Sequence, residues 1–311
     1  MEGLAGLSLV SVPRKFTRNQ YLTAAIAIAI VIVVVVAISV SGSPKKKTST
    51  AVKPISIVAG PAGIVSGTTP DNTGHSWVLV NLGNKANMQY INTSTGTNGG
   101  ALPLSSSARV IAVATGGAIG VGLNGGSTGA VEFFSSQGSN KLGVVPLAGP
   151  VADLVAGSNG TSFYALQDVN GADSVTVIDA KTLKAIGTIP VPSTTLSIAI
   201  SPDLTTIYSL QANGDISLAD AQTGKVVQSL PLTAGARQLA LSADGATLYV
   251  LKGSALDDNV SVVDVATEST VKVLPAPKDC EWIAPSLDGT QLVDFVGTPT
   301  LGNIQTFATH R

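Results

Sequence analysis

Residues that commonly carry acid–base, nucleophilic or metal chemistry are scarce in this sequence. Its 311 residues include two histidines, His75 and His310, and a single cysteine, Cys280. Two histidines are too few for a multi-histidine metal site, and we interpret both as solvated surface residues, which leaves no base for a Ser-His-Asp relay. The lone cysteine excludes an internal disulfide framework and any cysteine-based zinc site. We expect it to be a small buried apolar residue.

Three short segments match functional patterns but fail on their context. Gly120–Gly125 (GVGLNG) fits the dinucleotide fingerprint G-x-G-x-x-G, which needs a following helix whose N-terminus faces the phosphates. A strand-like segment follows instead, so hairpin glycines are predicted. Ser269–Lys272 fits S-x-x-K, but residues three apart on a strand point to opposite faces. Asp257–Asn259 is interpreted as a polar turn. The sequence therefore predicts no catalytic residues, no cofactor and no metal.

The remaining candidates are polar and aromatic residues at the start of a repeated apolar strand. The ligand-binding candidates are Arg109, Asp153, Arg237, Gln238, Glu281 and Trp282, with Ser197 at an equivalent position. Two arginines, two carboxylates and an aromatic ring are typical of a mouth that binds a polar or anionic ligand. The alternative is that Arg109, Arg237 and Glu281 pair with one another or face solvent, since no local spacing holds them together.

The elements that must position these residues belong to a repeated unit. The segments SVTVIDAKTL (174–183), DISLADAQTG (215–224) and NVSVVDVATE (259–268) align directly, and weaker copies extend the series to Asn92, Ser135, Asp179, Asp220, Asp264 and Ala308. A second motif recurs in phase, as in SIAISPDLTTIYSL (197–210) and QLALSADGATLYVL (238–251). There two short apolar strands flank an Asp-Gly type of turn, which is a strong hairpin signal. Each unit is predicted to contain four strands.

Six such units predict an all-β fold, a six-bladed β-propeller over residues 54–311. The candidate residues would then surround the mouth of the central channel. Because the sixth unit ends after its third strand, Pro54–Val58 is predicted to supply the missing outer strand and to close the ring. The alternatives, two stacked sheets or an open solenoid, would leave this segment and residues 303–308 as unpaired edges.

The repeat resembles a known family. The segments VSVVDVATE, LALSADGATLYVL, TIPV and SLPL resemble the YVTN-type β-propeller repeat, a relative of the NHL and WD40 families. The likeness covers nearly all of residues 54–311 and is clearest from 161 to 289. It departs where the family carries its Tyr-Val-Thr-Asn string, because this chain has IYSLQANG and LYVLKGS there. The resemblance implies a propeller and often a cell-surface or periplasmic location. It implies no fixed chemistry, because propellers serve both as binding modules and as enzymes.

An apolar segment precedes the repeats. Ala24–Ile38 contains no polar side chain, and residues 21–40 would span about 30 Å as a helix, which is the hydrocarbon thickness of a bilayer. A cleaved signal peptide is the alternative, although the apolar run exceeds the usual length of such peptides. We expect a retained signal anchor: a short basic tail (1–20), a transmembrane helix (21–40) and a flexible stalk (41–53). Although lysines also follow the helix, we expect a cytoplasmic N-terminus and an extracytoplasmic propeller, because a long domain can translocate despite nearby lysines.

Composition restricts the partners. With 12% charged residues and a net charge of −1, the chain lacks the basic footprint of a nucleic-acid-binding protein.

We expect a single-pass protein that contacts the lipid bilayer through residues 21–40. Its monomeric propeller is expected to be a binding or scaffold module for a protein or polymer ligand. A partner in envelope assembly is a related hypothesis. The alternative is a lactonase-like hydrolase or a lyase with a ligand or metal site in the channel, which needs at least three metal-competent groups that converge there.

Overall fold

The computed structural model describes residues 55–57, 61–67, 75–82, 85–92, 97–115, 118–135, 140–231, 235–253, 258–285, 291–297 and 302–308. The predicted basic tail, transmembrane helix (21–40) and stalk (41–53) lie outside the described residues. Among the segments that are described, none is a helix with the length and apolar character of a membrane span.

The described residues form 24 β-strands in six four-stranded antiparallel sheets. After β1 (Ile55–Ile57), sheet 1 comprises β2 (Pro61–Gly67), β3 (His75–Leu82), β4 (Lys85–Asn92) and β5 (Thr97–Pro103). Sheet 2 comprises β6 (Ala108–Val113), β7 (Ile119–Asn124), β8 (Gly129–Phe134) and β9 (Lys141–Leu147). Sheet 3 comprises β10 (Val151–Ala156), β11 (Ser162–Val169), β12 (Ala172–Asp179) and β13 (Lys184–Pro190).

The remaining three sheets continue the same order. Sheet 4 comprises β14 (Thr195–Ile200), β15 (Thr206–Gln211), β16 (Ile216–Asp220) and β17 (Val226–Leu230). Sheet 5 comprises β18 (Ala236–Leu241), β19 (Thr247–Gly253), β20 (Asp258–Asp264) and β21 (Ser269–Ala276). Sheet 6 comprises β22 (Cys280–Pro285), β23 (Gln291–Gly297), β24 (Gly302–Ala308) and β1. The third strands end at or beside the residues that the sequence repeat had aligned.

The hydrophobic core is divided among the interfaces between neighbouring sheets. Successive side chains of a strand point to opposite faces, and in β11 Phe163 packs against sheet 2 whereas Tyr164 packs against sheet 4. Equivalent apolar clusters lie between sheets 1 and 2, 4 and 5, and 5 and 6. Because both faces of a sheet are covered, its inner strands are nearly continuous apolar runs, as in other sheets that are buried on both faces.

The turn between the third and fourth strands uses the Asp-x-x-Thr part of the repeat. Asp220 accepts hydrogen bonds from the backbone N–H groups of Gln222 and Thr223, at 3.1 and 2.8 Å. Asp179 and Asp264 bond the backbone of their own turns in the same way. An aspartate that accepts bonds from the N–H groups two and three residues later closes a tight turn, which explains why the repeat keeps this residue at the strand end.

The first strands of the six sheets surround one axis. β2, β6, β10, β14, β18 and β22 contact one another in this order, and β22 also contacts β2. Radially arranged four-stranded sheets around an axis are a β-propeller, so the all-β propeller prediction is confirmed. β1 pairs with β24, with Ile55 opposite Ile304 and Ile57 opposite Gly302. This is the pairing that the sequence predicted for Pro54–Val58.

Candidate functional site

A β-bulge occurs at the second residue of every first strand. In β18, for example, Ala236 is opposite Lys252 and Gln238 is opposite Leu251, so that Arg237 is the extra residue. The extra residues of the six strands are Ala62, Arg109, Ala152, Leu196, Arg237 and Glu281. Bulges redirect a side chain and are frequent beside functional sites. Because the six strands start at the same end of the axis, their bulges lie around one mouth.

The bulge residues are more accessible than their neighbours on the strand. Wherever the side chains are described, the preceding residue is buried, as Ala108 and Cys280 are, whereas the bulge residue is half-buried or exposed. We call the five bulge residues with described side chains the mouth ring: Arg109, Ala152, Leu196, Arg237 and Glu281. Three charged residues come from sheets 2, 5 and 6, and two apolar residues come from sheets 3 and 4. The mouth is therefore charged on one side and apolar on the other.

In sheets 3, 4 and 5, the residue after the bulge forms hydrogen bonds to the next sheet. Asp153 and Gln238, which the sequence had suggested as ligand-binding residues, are 3% and 5% exposed. Asp153 Oδ2 accepts hydrogen bonds from Ser197 Oγ at 2.7 Å and from the Ile198 N–H at 2.9 Å. The Gln238 amide donates to the Ile283 carbonyl at 3.0 Å and accepts from the Ile283 N–H at 2.6 Å. Both side chains are thus occupied by bonds to the next sheet.

Arg237 lies at the edge of the mouth. Its guanidinium forms an ion pair of 2.8 Å with Asp258 and donates to the Cys280 carbonyl at 3.0 Å. The group also lies against Gly253, where a Cβ would force the guanidinium to shift. The Arg237 side chain nevertheless keeps 44% of its surface accessible. Its charge is therefore held in place beside Glu281 and still reaches solvent.

The charged residues of the mouth influence one another. Burial raises the pKa of the Asp153 carboxyl, while its hydrogen bonds and the charge of Arg109 act in the opposite direction. The Glu281 side chain is exposed, but the surrounding mouth removes part of its solvent, and this raises the pKa of the Glu281 carboxyl. The positive charges of Arg237 and, after it, Arg109 lower the same pKa by less. Arg109 belongs to sheet 2 and Glu281 to sheet 6, so their interaction spans sheet 1, which lies between these two sheets in the ring.

Trp282 lies beneath the mouth ring. This residue belongs to sheet 6, is partly buried, and packs against the hydrophobic cluster that sheets 2 and 3 form. Sheet 6 has sheets 5 and 1 as its neighbours in the ring, so the indole must cross the axis to reach that cluster. The aromatic ring therefore lies within the channel, below the charged residues.

Several predicted features have a structural explanation. Cys280, the single cysteine of the chain, is fully buried, as expected. Gly120 and Gly122 lie within β7, and a Cβ at Gly122 would be 2.6 Å from a methyl of Val110. These glycines lie within a strand and serve close packing there, so the hairpin interpretation is wrong for them. The segment that follows is a strand, β8, as predicted. Ser269–Lys272 lies on β21. His75 begins β3, and His310 lies outside the described residues.

The polar-turn interpretation of Asp257–Asn259 is wrong for Asp258. This residue begins β20, is 5% exposed, and holds both Arg237 and the Cys280 N–H, the latter at 2.8 Å. Asp173 makes the equivalent bond to the Thr195 N–H at 2.8 Å. An acidic residue recurs at the start of the third strand, and this recurrence could have identified Asp258 as part of a strand and not of a turn. Ala152 and Leu196 were missed because small and aliphatic residues carry no chemical signal of their own.

Sequence comparisons place the chain in no family: no protein-family model matches it, and no curated protein matches it. Among solved structures, the propeller is similar to hydrazine synthase of Kuenenia stuttgartiensis. The TM-score is 0.58 at 16% sequence identity, and the alignment covers 81% of this chain and 77% of that chain. At this level of identity the likeness concerns the fold alone. The chain is thus an all-β propeller protein.

Proposed function

We propose that this chain is a membrane-anchored binding or scaffold module, and that the mouth ring of its propeller binds a protein or polymer ligand. The observation that carries the proposal is the set of bulges at one end of the first strands. They position Arg109, Arg237 and Glu281 on one side of the mouth and Ala152 and Leu196 on the other.

The composition of the mouth ring defines the ligand chemistry. Arginine recognises carboxylates and phosphates through paired hydrogen bonds, and Glu281 supplies a carboxylate acceptor beside Arg237. The apolar side of the mouth favours a ligand that also carries aliphatic or aromatic groups. Because the Trp282 indole occupies space within the channel, a chain end or a loop that rests on the mouth is the fitting ligand.

The location of the propeller is part of the proposal. Residues 21–40 are apolar enough to cross a bilayer as a helix, with the N-terminus in the cytoplasm and the stalk (41–53) leading to an extracytoplasmic propeller. We further propose that the six sheets are the six blades of a YVTN-type propeller closed by β1. In this arrangement the strand nearest to the membrane segment also closes the ring, which supports a module that is displayed on a short stalk.

An enzyme with a metal in the channel is the alternative. It requires three ligands that converge, and the described ranges contain no group of three His, Cys, Asp or Glu side chains suited to a metal. Asp153, the acidic residue within the channel, uses both carboxylate oxygens for hydrogen bonds to Leu154, Ser197 and Ile198. These contacts favour a binding module.

The proposal is tested by capture on the full chain held in detergent. Solubilised membranes would be passed over the immobilised wild type, over an Arg109→Ala/Glu281→Gln double variant and over a Lys181→Ala control in the exposed turn after β12, remote from the mouth. We expect a species that the wild type and the control retain and the double variant loses. Retention of the same species by all three proteins would refute a role for the mouth. Protease treatment of intact cells tests the location, because digestion of the propeller only after lysis contradicts an extracytoplasmic domain.

A further inference from the structure

Five outer strands carry a second series of β-bulges; in β5 the irregularity falls on Gly99 and Gly100, whereas in the other four it falls on a residue with a side chain. In β13, Ala185 is opposite Ile178 and Gly187 is opposite Val177, so Ile186 is the extra residue. The equivalent extra residues are Leu142 in β9, Val227 in β17 and Val271 in β21. The bulged residue is thus a large aliphatic residue in sheets 2, 3, 4 and 5. We call these four the rim residues.

The rim residues are conspicuously exposed. Leu142 is 46% exposed, Ile186 61%, Val227 67% and Val271 61%. A single exposed aliphatic residue on a protein surface is ordinary. Here the same backbone irregularity presents such a residue at the same position of four consecutive sheets, and bulges are features that redirect side chains. This repetition indicates a surface that contacts another molecule.

The charges beside the rim residues indicate the chemistry of that molecule. A lysine lies within two residues of each: Lys141, Lys184, Lys225 and Lys272. Lys141 pairs with the buried Glu132, whereas Lys184 and Lys225 are exposed. None of the strands β9, β13, β17 and β21 contains Asp or Glu. A second copy of this rim would oppose lysine to lysine, which is unfavourable, whereas an acidic segment would be complementary.

The geometry also restricts the mode of binding. A bulge interrupts the hydrogen-bonding edge of a strand, so a long added strand would lose its register at each rim residue. The four outer strands belong to sheets that point away from the axis in different directions, so a flat membrane surface could meet neighbouring strands only. We propose that the rim residues bind an extended, acidic polypeptide segment of a partner protein, whose aliphatic side chains contact Ile186, Val227 and Val271 while its carboxylates face the lysines.

Display of short random peptides tests this inference. Peptides would be selected on the full chain held in nanodiscs of zwitterionic lipid. Their affinity for the wild type would then be compared with their affinity for an Ile186→Ser/Val227→Ser/Val271→Ser variant, the rim variant. A Val226→Ser/Val273→Ser variant is the matched control, since both valines are exposed on the same outer strands but lie in regular register. Circular dichroism would verify that all variants fold. A Lys184→Ala/Lys225→Ala variant tests the charges separately.

We expect peptides that combine Asp or Glu with aliphatic residues. They should bind the rim variant at least about tenfold more weakly than the wild type and bind the control variant unchanged. The lysine variant and raised salt should weaken binding as well. Recovery of no such peptide, or equal affinity for wild type and rim variant, would overturn the inference. So would rim-dependent binding to anionic phosphatidylglycerol vesicles without peptide binding, or rim-dependent self-association.

Discussion

Ser197 Oγ donates a hydrogen bond of 2.7 Å to Asp153 Oδ2 across the boundary between sheets 3 and 4. Ser197 Oγ in turn accepts the Leu239 N–H of sheet 5 at 3.2 Å, and Gln238 bonds the backbone of sheet 6. In sheets 3, 4 and 5, one side chain of the first strand therefore fastens the backbone of the next sheet. This series lies directly below the mouth ring, so the packing of the ring and the geometry of the mouth depend on the same strands.

Replacement of Asp153 by alanine should destabilise the propeller by about 2 to 4 kcal/mol, because it leaves the buried Ile198 N–H without its acceptor and leaves Ser197 Oγ with only a longer bond to the Leu239 carbonyl. Asp168→Ala is the control. Among the described hydrogen bonds, the Asp168 side chain accepts one, from the Gly171 N–H in an exposed turn. Loss of this bond should cost less than about 1 kcal/mol of stability. Urea denaturation measures both. Equal losses of stability would contradict the structural role of Asp153.

The turn aspartates should make stability depend on pH in the acid range. Hydrogen bonds from Thr182, Thr223 and Thr267 hold the pKa values of Asp179, Asp220 and Asp264 below their ordinary value. Folding therefore favours their ionised forms. The stability that they contribute is present above the unfolded value of about pH 4 and is lost as the pH falls through the folded pKa values.

The triple variant Asp179→Asn/Asp220→Asn/Asp264→Asn isolates this effect, because asparagine keeps an acceptor oxygen but does not titrate. Urea midpoints measured between neutral and acid pH should fall less steeply for the variant than for the wild type. Asp153, whose pKa is raised by burial, contributes with the opposite sign and is common to both proteins. Parallel pH profiles would show that the three turns do not titrate with folding.

The fold was largely predictable from the sequence, because its information is local and repeated. Asp179, Asp220 and Asp264 mark turns through their own hydrogen bonds, and a period of about 43 residues fixes where each sheet begins. The site was less predictable, since it depends on contacts between residues far apart in the chain. Asp153 and Ser197 are 44 residues apart, and no spacing rule distinguishes a side chain that fastens two sheets from one that faces a ligand.

The β-bulges are the second reason why the site was less predictable than the fold. A one-residue shift of register decides whether Arg237 or Gln238 reaches the surface, and a sequence pattern with a period of two cannot register such a shift. Hence both residues were predicted to face a ligand. In the structure Gln238 is buried and Arg237 is exposed.

Two equivalent turn positions should respond in opposite directions to substitution. Gly224 and Glu268 occupy the fifth position of their turns, with positive φ values of 70° and 56°. A Cβ at Gly224 would lie 2.6 Å from Pro190 Cδ, so Gly224→Ala should destabilise the protein by about 1 to 3 kcal/mol. Glu268 is exposed, and Glu268→Gly should stabilise by up to about 1 kcal/mol by relieving the left-handed conformation. Thermal denaturation compares them; a loss of stability in Glu268→Gly would contradict this reasoning.

Removal of residues 54–58 should destabilise the whole propeller, because β1 supplies the outer strand that pairs with β24. Deletion of residues 41–50 in the predicted stalk is the control and should leave the melting temperature unchanged. Differential scanning calorimetry of the two deletion variants makes the comparison. Equal melting temperatures would refute closure of the ring through β1.

Photo-cross-linking from the mouth tests the central claim most directly. A photoreactive phenylalanine derivative at position 196 would stand on the apolar side of the mouth ring and leave its three charged residues intact. The same group at position 222, in the exposed turn after β16, is the control. The proposed function predicts, in intact cells, an adduct from position 196 that position 222 does not form and that disappears when Arg109→Ala and Glu281→Gln are added. An identical adduct from both positions, or one that persists in the charge variant, would contradict binding at the mouth.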